Sequence, residues 1–410
     1  MRFILHSDLN NFYASVECLY NPHIRNSAVI VTGDEKKRSG IVLSKNNIAK
    51  KLGVKTGDTV IEARGKCDNN VICVQANFNR YRLVAEMVKD IYRKYSDRVE
   101  SFGIDEAWID ITGKVKNFNE AYALACQIKS RVVEELGVTV SIGVSYNKIF
   151  AKLGSDLKKP NAITLITPYN YKNIVWPLKV DALIYVGRAT TAKLQKMSVT
   201  TIGELALVGK DFLKKLLGKN GEKLYEFANG LENSEVKKVS VMEKSIGNST
   251  TCPRDLKNNK EVEAVIYILA ENVVLRMRKK QLWCQEVSLF VRNNKLFSFE
   301  RQKKLAYPTN LISDIAKIGL ELFIKNYNWL NDIRSIGIRA GKLCSGPKQY
   351  NFFVNEDNIY KKGKLEKTVE DLRYKFGYNI IKRGNVLSDE DFVLLNPTEE
   401  KHKIHPISFF

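Results

Sequence analysis

Two short apolar segments with no helix between them constrain the fold of the N-terminal part of the chain. Residues 99–104 and 107–111 have the length and composition of strands, and only two residues separate them. Further strands are predicted at 2–9 and 138–144, each separated from this pair by an amphipathic helix. The order β, α, β, β, α, β predicts an α+β, ferredoxin-like antiparallel sheet with helices on one face. It argues against the regular alternation of a parallel Rossmann sheet.

The helices of this region are predicted from apolar residues spaced three or four positions apart. The spacing indicates helices at 78–97 and 118–136, and Gly137 closes the second one in the C′ position. A third helix is predicted at 148–159, where Pro160 stops it.

The charge of the chain points to a polyanionic partner. Its 410 residues include 66 Lys and Arg against 45 Asp and Glu, a formal net charge of +21. Nucleic acid is the simplest partner of this kind, although a generally basic protein would show the same excess. The length predicts about two to four domains.

Cysteine, histidine and hydropathy argue against several other classes of protein. The seven cysteines are scattered without a CxxC pair, so neither a disulfide framework nor a zinc knuckle is expected. Because the four histidines form no cluster, any chemistry is expected from carboxylates, Lys, Arg or hydroxyls. Neither a signal peptide nor a membrane-spanning run is expected, and the cysteine usage favours a reducing cytoplasm.

Three carboxylates lie at predicted strand ends. Asp8 ends the first strand, and Asp105 and Glu106 occupy the turn between the adjacent strands. If these strands are neighbours, the carboxylates converge and repel each other unless cations bind. Oxygen ligands of this kind suit Mg²⁺, and two such ions can support phosphoryl transfer. The alternative is a polar hairpin turn and an ordinary strand-end residue.

Four separated motifs favour the metal-binding interpretation of these carboxylates over an ordinary hairpin turn. They are DLNNFYASVE at 8–17, SFGIDEA at 101–107, SIGVS at 141–145 with the NK, FAK and KPN that follow, and a glycine hairpin within 181–205. The chain resembles the Y-family (translesion) DNA polymerases, and it looks closest to the bacterial DinB/UmuC-like branch. The resemblance covers roughly residues 1–345.

The resemblance implies a right-hand polymerase with a ferredoxin-like palm, small fingers, a helical helix–hairpin–helix thumb and an α/β little finger. The implied ranges are palm 1–10 and 77–168, fingers 11–76, thumb 169–231, linker 232–243, little finger 244–348, clamp-binding peptide 349–353 and C-terminal extension 354–410.

The resemblance also implies a catalytic centre for nucleotidyl transfer. Asp8, Asp105 and Glu106 would be catalytic and would hold two Mg²⁺ ions, with Leu9 as a further metal ligand. A primer 3′-hydroxyl would attack the α-phosphate of a dNTP, and pyrophosphate would leave. Catalysis would then consist of positioning and charge stabilisation.

A second set of implied residues would bind the nucleotide. Backbone amides of Asn11, Phe12 and Tyr13 would face the triphosphate, and the ring of Tyr13 would be the steric gate against a 2′-hydroxyl. A core aromatic is the alternative for Tyr13. The cationic and hydroxyl contacts would come from Ser44, Lys50 and Lys159. Four positions differ from the residues common in the family. Lys50 stands where Arg is common and Asn47 where many members have Tyr. Ile41 and Leu43, over the nascent base pair, stand where small residues are frequent.

DNA contacts are expected from the thumb and the little finger. Gly187 would let backbone amides approach a phosphate, with Arg188 beside it, although an ordinary αα-hairpin fits the same stretch. Residues 244–348 repeat the order β, α, β, β, α, β and carry 19 Lys and Arg against 9 Asp and Glu. Lys244, Arg334 and Arg339 are the candidates there, while the basic run at 276–280 is equally a solvated helix end.

The segment after the little finger resembles a short peptide that binds the bacterial sliding clamp. Gln349 would bond a pocket rim while Tyr350, Phe352 and Phe353 fill an apolar groove, unless these aromatics simply pack on the little finger. An amphipathic helix is predicted at 359–376, closed by Gly377, with its apolar stripe formed by Leu365, Val369, Leu372 and Phe376.

The combined prediction is a monomeric, template-directed translesion DNA polymerase of low fidelity and without a proofreading segment. Its partners would be primer–template DNA, a dNTP and a bacterial sliding clamp, with no membrane, in the nucleoid of a bacterial cytoplasm. One alternative is a non-catalytic, polymerase-like adaptor that binds DNA and the clamp. Another is a nuclease or nucleotide cyclase built on a similar palm.

Overall fold

The computed structural model describes residues 1–33, 40–238, 243–346 and 356–387, together with Phe392. The strands in these residues are β1 (Ile4–Leu9), β2 (Ala28–Thr32), β3 (Val42–Lys45), β4 (Val71–Gln75), β5 (Val99–Phe102), β6 (Glu106–Asp110), β7 (Val140–Ser145), β8 (Ile163–Leu165), β9 (Ser245–Leu256), β10 (Cys284–Asn293), β11 (Ser298–Thr309) and β12 (Ile333–Gly341). The α-helices are α1 (Phe12–Tyr20), α2 (Asn47–Lys51), α3 (Val60–Lys66), α4 (Phe78–Arg93), α5 (Phe118–Leu136), α6 (Lys148–Leu157), α7 (Tyr171–Val175), α8 (Arg188–Gln195), α9 (Ile202–Leu207), α10 (Lys210–Leu217), α11 (Lys219–Ala228), α12 (Asn259–Lys279), α13 (Ile312–Asn326), α14 (Glu356–Phe376) and α15 (Gly384–Leu387).

The described residues form two compact units, one up to residue 238 and one from 243 onward. Within the described ranges, no helix has both the length and the apolar character needed to cross a membrane.

A five-stranded sheet in the order β5-β6-β1-β7-β8 forms the centre of the first unit. β1 pairs antiparallel with β6 and with β7, and β6 pairs antiparallel with β5, which is the ferredoxin-like order. The expected α+β fold is therefore confirmed. Two helices end earlier than predicted, α4 at Arg93 and α6 at Leu157. Helix α5 has the predicted bounds, and Gly137 follows it in a left-handed conformation.

The expectation of helices on one face of this sheet is wrong. Leu5 of β1 packs with α4 and α5, but its neighbour Ile4 packs with Ala151 of α6. Successive side chains of a strand point to opposite faces, so a helix covers each face. Burial on both sides explains why every residue of β1 is buried.

The smaller parts of the first unit are a three-stranded sheet and a helical cluster. The sheet has the order β3-β2-β4, and α2 and α3 bury its apolar residues. In the helical cluster, α10 and α11 are separate helices because Gly218 takes a positive φ of 66° between them. The residues before Gly187 form a 3₁₀ turn, Val180–Ala182, rather than an α-helix.

The first half of the predicted linker 232–243 is packed on the first unit. Val236 is buried with Ile4, Trp108 and Ala151. The amide of Lys237 donates to Glu100 Oε2 at 2.8 Å, and the buried Glu232 accepts from the Lys148 amide at 3.1 Å. Polar groups of this stretch therefore form hydrogen bonds to β5 and α6 of the first unit.

The second unit repeats the order β, α, β, β, α, β but assembles it differently. Its antiparallel sheet has the order β11-β10-β12-β9, so the first strand lies at an edge. In the five-stranded sheet, the first strand lies inside. α12 and α13 pack together against one face of the four-stranded sheet and bury a single apolar core.

Residues 356–387 and Phe392 add to the second unit. Glu366 of α14 is buried, pairs with Arg278 at 2.6 Å and accepts from the amides of Ile312 and Ser313 at 2.9 and 3.1 Å. It therefore caps the start of α13 from outside that helix. Val386 and Phe392 are buried in the same core.

The helix predicted at 359–376 is present as α14, but its apolar stripe does not pack against the rest of the second unit. Leu365, Leu372 and Phe376 are 66%, 38% and 58% exposed. The helix is held instead by charge, through Glu366 and through Arg373, which pairs at 3.0 Å with the buried Glu271 of α12.

Glu366→Gln tests this ionic attachment. The variant keeps the side-chain volume but removes the charge shared by Arg278 and two helix amides, so we expect a loss of about 2 kcal/mol in unfolding free energy. Urea unfolding of the full chain measures the loss, and hydrogen exchange should accelerate at the Ile312 and Ser313 amides. The matched control is Glu370→Gln, whose carboxylate lies 3.3 Å from the same Arg278; it should cost less than about 1 kcal/mol. Equal effects of the two variants would contradict the capping role.

Candidate active site

Strand register brings the three predicted carboxylates together. Asp8 on β1 is the direct antiparallel partner of Glu106 on β6. The amide of Leu9 donates to the carbonyl of Asp105 at 3.1 Å, which holds the β5–β6 turn at the end of β1. Glu106 was expected in that turn but is the first residue of β6. Asp8 and Glu106 point to the face that α6 covers.

The pKa values of two of these carboxylates are raised because the three lie close together and are buried. Burial, followed by the charges of Asp8 and Glu106, raises the pKa of Asp105 to about 7. Burial and Glu106 also raise the pKa of Asp8. Three ionised carboxylates at this edge therefore destabilise one another unless positive charge lies beside them.

Two lysines supply that positive charge. Lys152 Nζ lies 2.8 Å from Glu106 Oε2 and 3.5 Å from Asp8 Oδ2. Lys159 Nζ lies 2.8 Å from Asp8 Oδ2, and Asp156 contacts both ammonium groups. Burial alone would lower the pKa of each lysine, but the carboxylates outweigh it and raise the pKa.

The donor chemistry fits hard divalent cations, although the side chains are not placed as a ready ligand set. Among the described residues, no group of three or more His, Cys, Asp or Glu has metal-ligand geometry. The oxygens of Asp8 and Glu106 face ammonium groups instead, so they are oriented toward positive charge. Burial and the charges of Asp8 and Glu106 raise the pKa of Asp105, so a cation beside this carboxylate would stabilise its ionised form.

Helix α6 carries Lys152 and Asp156 to the carboxylates because it lies directly on β7. A Cβ at Gly143 would be 1.9 Å from the carbonyl oxygen of Ala151, so only glycine permits this approach. The helix start is fixed by Lys148, whose Nζ pairs with both oxygens of the buried Glu100 at 2.8 and 2.9 Å.

His6 is a buried neighbour of the site that the sequence did not reveal. Its Nδ1 is 2.9 Å from Ser155 Oγ, and its Nε2 is 3.3 Å from Glu106 Oε2. Burial lowers the pKa of His6 well below its usual value, so the ring is neutral. Asp156 was also missed. Its i, i+4 spacing from Lys152 and i−3 spacing from Lys159 was the available signal.

The start of α1 brings the predicted nucleotide residues near the carboxylates. Asn11 has a left-handed φ of 49° at the N-cap, and Ser44 Oγ donates to its carbonyl at 3.3 Å. Asn11 Nδ2 donates to Asn47 Oδ1 at 2.8 Å, so the residue that departs from the family pattern supports this turn. Phe12 is buried, which leaves only its backbone for a ligand.

Tyr13 is half-buried in an aromatic group rather than enclosed in the core. Its ring stacks on Tyr81 with centroids 4.4 Å apart and planes 12° from parallel. The Tyr81 hydroxyl donates to the buried Glu17 at 2.7 Å, and Arg80 pairs with the same carboxylate at 2.8 Å. Burial and Asp105 raise the pKa of Tyr13 to about 12.

The remaining predicted residues lie on other elements of the two units. Lys50 is exposed on α2, and Gly187 is the N-cap of α8 with Arg188 as its first residue. In the second unit, Lys244 is exposed, Arg334 is half-exposed on β12, and Arg339 pairs with Glu300 across the sheet. The predicted clamp peptide, Gln349, Tyr350, Phe352 and Phe353, lies outside the described residues.

Family comparisons agree with this arrangement. Residues 7–156 match the sequence model of the impB/mucB/samB family, and residues 243–352 match that of its C-terminal domain. Residues 183–232 match the model described as the thumb domain of DNA polymerase-iota.

Individual relatives extend the match over nearly the whole chain. DNA polymerase IV of Acetivibrio thermocellus is 46% identical over 392 residues, covering 95% of this chain and 98% of the relative. DNA polymerase IV 1 of Bacillus subtilis is 36% identical, covering 95% and 94%. A solved Y-family DNA polymerase chimera of Dbh and Dpo4 has a TM-score of 0.74 at 25% identity, covering 83% of this chain and 98% of the chimera.

The chain belongs to the Y family of DNA polymerases. It is a DNA-directed DNA polymerase of the translesion type, and the predictions of family, fold and enzyme class are confirmed. Members of this family use divalent metal ions and have no proofreading activity.

Proposed function

We propose that Asp8, Asp105 and Glu106 hold two Mg²⁺ ions, with the backbone of Leu9 as a further ligand, and that primer extension takes place there. The observation that carries the proposal is the convergence of the three carboxylates at one sheet edge, where Asp8 is the antiparallel partner of Glu106 and the Leu9 amide donates to the Asp105 carbonyl. Bound Mg²⁺ would supply charge stabilisation to the attacking and leaving oxygens. The protein positions the primer 3′-hydroxyl and the dNTP α-phosphate in line.

The triphosphate would lie over the start of α1. Amides of Asn11, Phe12 and Tyr13 donate there, where the helix dipole also favours an anion. Ser44 is in contact with this turn, and Lys159 lies beside Asp8. Lys50 would act as a single ammonium contact rather than a bidentate fork.

Asp105→Ala combined with Glu106→Ala tests the catalytic assignment. Removing two carboxylates removes the cation ligands, so Mg²⁺-dependent primer extension should fall below detection. Binding of primer–template DNA should persist, because it rests on other surfaces. Extension assays and anisotropy titrations measure the two properties. Extension retained by the double variant would refute the assignment.

Tyr13 is proposed as the steric gate. Its ring is held in place by the stack on Tyr81, so it can exclude a 2′-hydroxyl without shifting. Tyr13→Ala should raise ribonucleotide incorporation by about tenfold or more, the factor that corresponds to a lost steric penalty of roughly 1.4 kcal/mol. The ratio of kcat/KM for matched ribo- and deoxynucleotides measures it. Tyr13→Phe, which keeps the ring and should keep the discrimination, serves as the control, and an unchanged ratio in Tyr13→Ala would remove the role.

DNA is proposed to contact Gly187, Arg188, Lys244, Arg334 and Arg339. Gly187 has an ordinary φ of −88°, and an added Cβ would meet nothing within 4 Å. Gly187→Ala should therefore leave the stability of the free protein unchanged and weaken DNA binding through contact with a phosphate. Arg188→Ala should reduce the slope of log affinity against log salt by about one. Unchanged affinity and slope in both variants would exclude this part of the interface.

Gln349, Tyr350, Phe352 and Phe353 are proposed to bind a bacterial sliding clamp. The proposal rests on their sequence pattern and on tethering, which would raise the local concentration of primer termini. Deleting 349–353 should abolish clamp pull-down while distributive synthesis continues at the wild-type rate. An intact pull-down would refute it. We further propose that the chain acts as a monomer on the bacterial nucleoid, which size-exclusion chromatography and fluorescence imaging can test.

A further inference from the structure

Asp156 joins the two lysines of the active site. It lies one turn after Lys152 on α6, and each of its oxygens contacts a different ammonium group. Oδ2 is 3.2 Å from Lys152 Nζ, and Oδ1 is 2.7 Å from Lys159 Nζ. Each ammonium is therefore shared between Asp156 and a carboxylate of the catalytic group.

The lysines occupy the oxygens that a divalent ion would need. Lys152 Nζ is 2.8 Å from Glu106 Oε2, and Lys159 Nζ is 2.8 Å from Asp8 Oδ2. An ammonium and a divalent cation at the same oxygen repel each other, so binding of the ion requires the lysine to withdraw.

A lysine that withdraws within a buried site still needs a carboxylate. The side chain of Lys152 is 14% exposed, and an unpaired ammonium at that depth is costly. Asp156 already contacts both lysines, so each can leave the catalytic carboxylates without losing its last partner. A cavity of about 250 Å³ lined by Lys152, Asp156 and residues 181–186 provides the room for such a movement.

We propose that Asp156 is a positioning residue that retains Lys152 and Lys159 while divalent ions displace them from Glu106 and Asp8. The proposal rests on the metal site proposed above. Without metal, the lysines act as counter-ions of the catalytic carboxylates. With metal, Asp156 holds Lys152 aside and leaves Lys159 directed toward the triphosphate.

A simple electrostatic role of Asp156 makes a different prediction. If the residue only added negative charge near the ions, its removal would weaken metal binding whether or not the lysines are present. If it acts through the lysines, its removal matters only while they compete for the carboxylates. A double-mutant cycle separates the two cases.

The test measures Mn²⁺ binding to the full-length chain without DNA or nucleotide, by the loss of the paramagnetic signal of free Mn²⁺. Asp156→Asn should weaken binding about fivefold, and Asp156→Glu should restore it. In a chain carrying Lys152→Met and Lys159→Met, the same substitution should change affinity less than about twofold. Asp181→Asn is the control. It removes a carboxylate that lines the same cavity but contacts neither lysine, so Mn²⁺ affinity should stay at the wild-type value.

The outcomes distinguish the metal site, the role of Asp156 and the role of the lysines. Mn²⁺ binding that Asp105→Ala leaves unchanged would overturn the metal site and this inference together. Binding that Asp105→Ala abolishes and Asp156→Asn leaves unchanged would overturn the inference alone. An equal effect of Asp156→Asn with and without the lysines would overturn the lysine mechanism.

A kinetic readout covers the case in which the chain without both lysines does not fold. Asp156→Asn should then raise the Mg²⁺ concentration for half-maximal primer extension about fivefold while kcat at saturating Mg²⁺ stays at the wild-type value. A fall in kcat with an unchanged Mg²⁺ requirement would indicate a structural role and overturn the proposal.

Discussion

The antiparallel pairing of β1 with β6 and β7 is the constraint on which the active site depends. It sets Asp8 opposite Glu106 and brings the turn at Asp105 to the end of β1. Carboxylates at this separation repel each other, so the sheet edge is stable only with positive charge beside it. Helix α6 lies close to β7 at Gly143, and from this position its Lys152 reaches the carboxylates.

The excess of basic residues does not all belong to one surface. Arg278 and Arg373 are mostly buried and hold α14 on the second unit, and Lys148 is buried against Glu100. These charges stabilise packing through hydrogen-bonded pairs in places where water is scarce. The basic run at 276–280 is therefore in part structural, since Arg278 has its partners within the unit and Arg276 donates to the carbonyl of Gly247.

Much of the fold could be predicted from local patterns. The period of apolar residues located α5 to the residue, and the strand pair around Asp105 and Glu106 predicted the ferredoxin-like order. The same order of elements in the second unit gave a different sheet, with β9 at an edge. Local periodicity decides which residues form a strand, but hydrogen-bond partners depend on packing between distant segments.

The sequence by itself determined the family, the order of elements and the three carboxylates, because these are written in contiguous motifs and short periods. Only the tertiary structure decided that Lys152, Lys159 and Asp156 form one charged group with them, that His6 lies behind Glu106, and that Glu366 caps α13. Such contacts join residues far apart in the chain. Their side chains acquire a role only when burial removes water and makes each unpaired charge unfavourable.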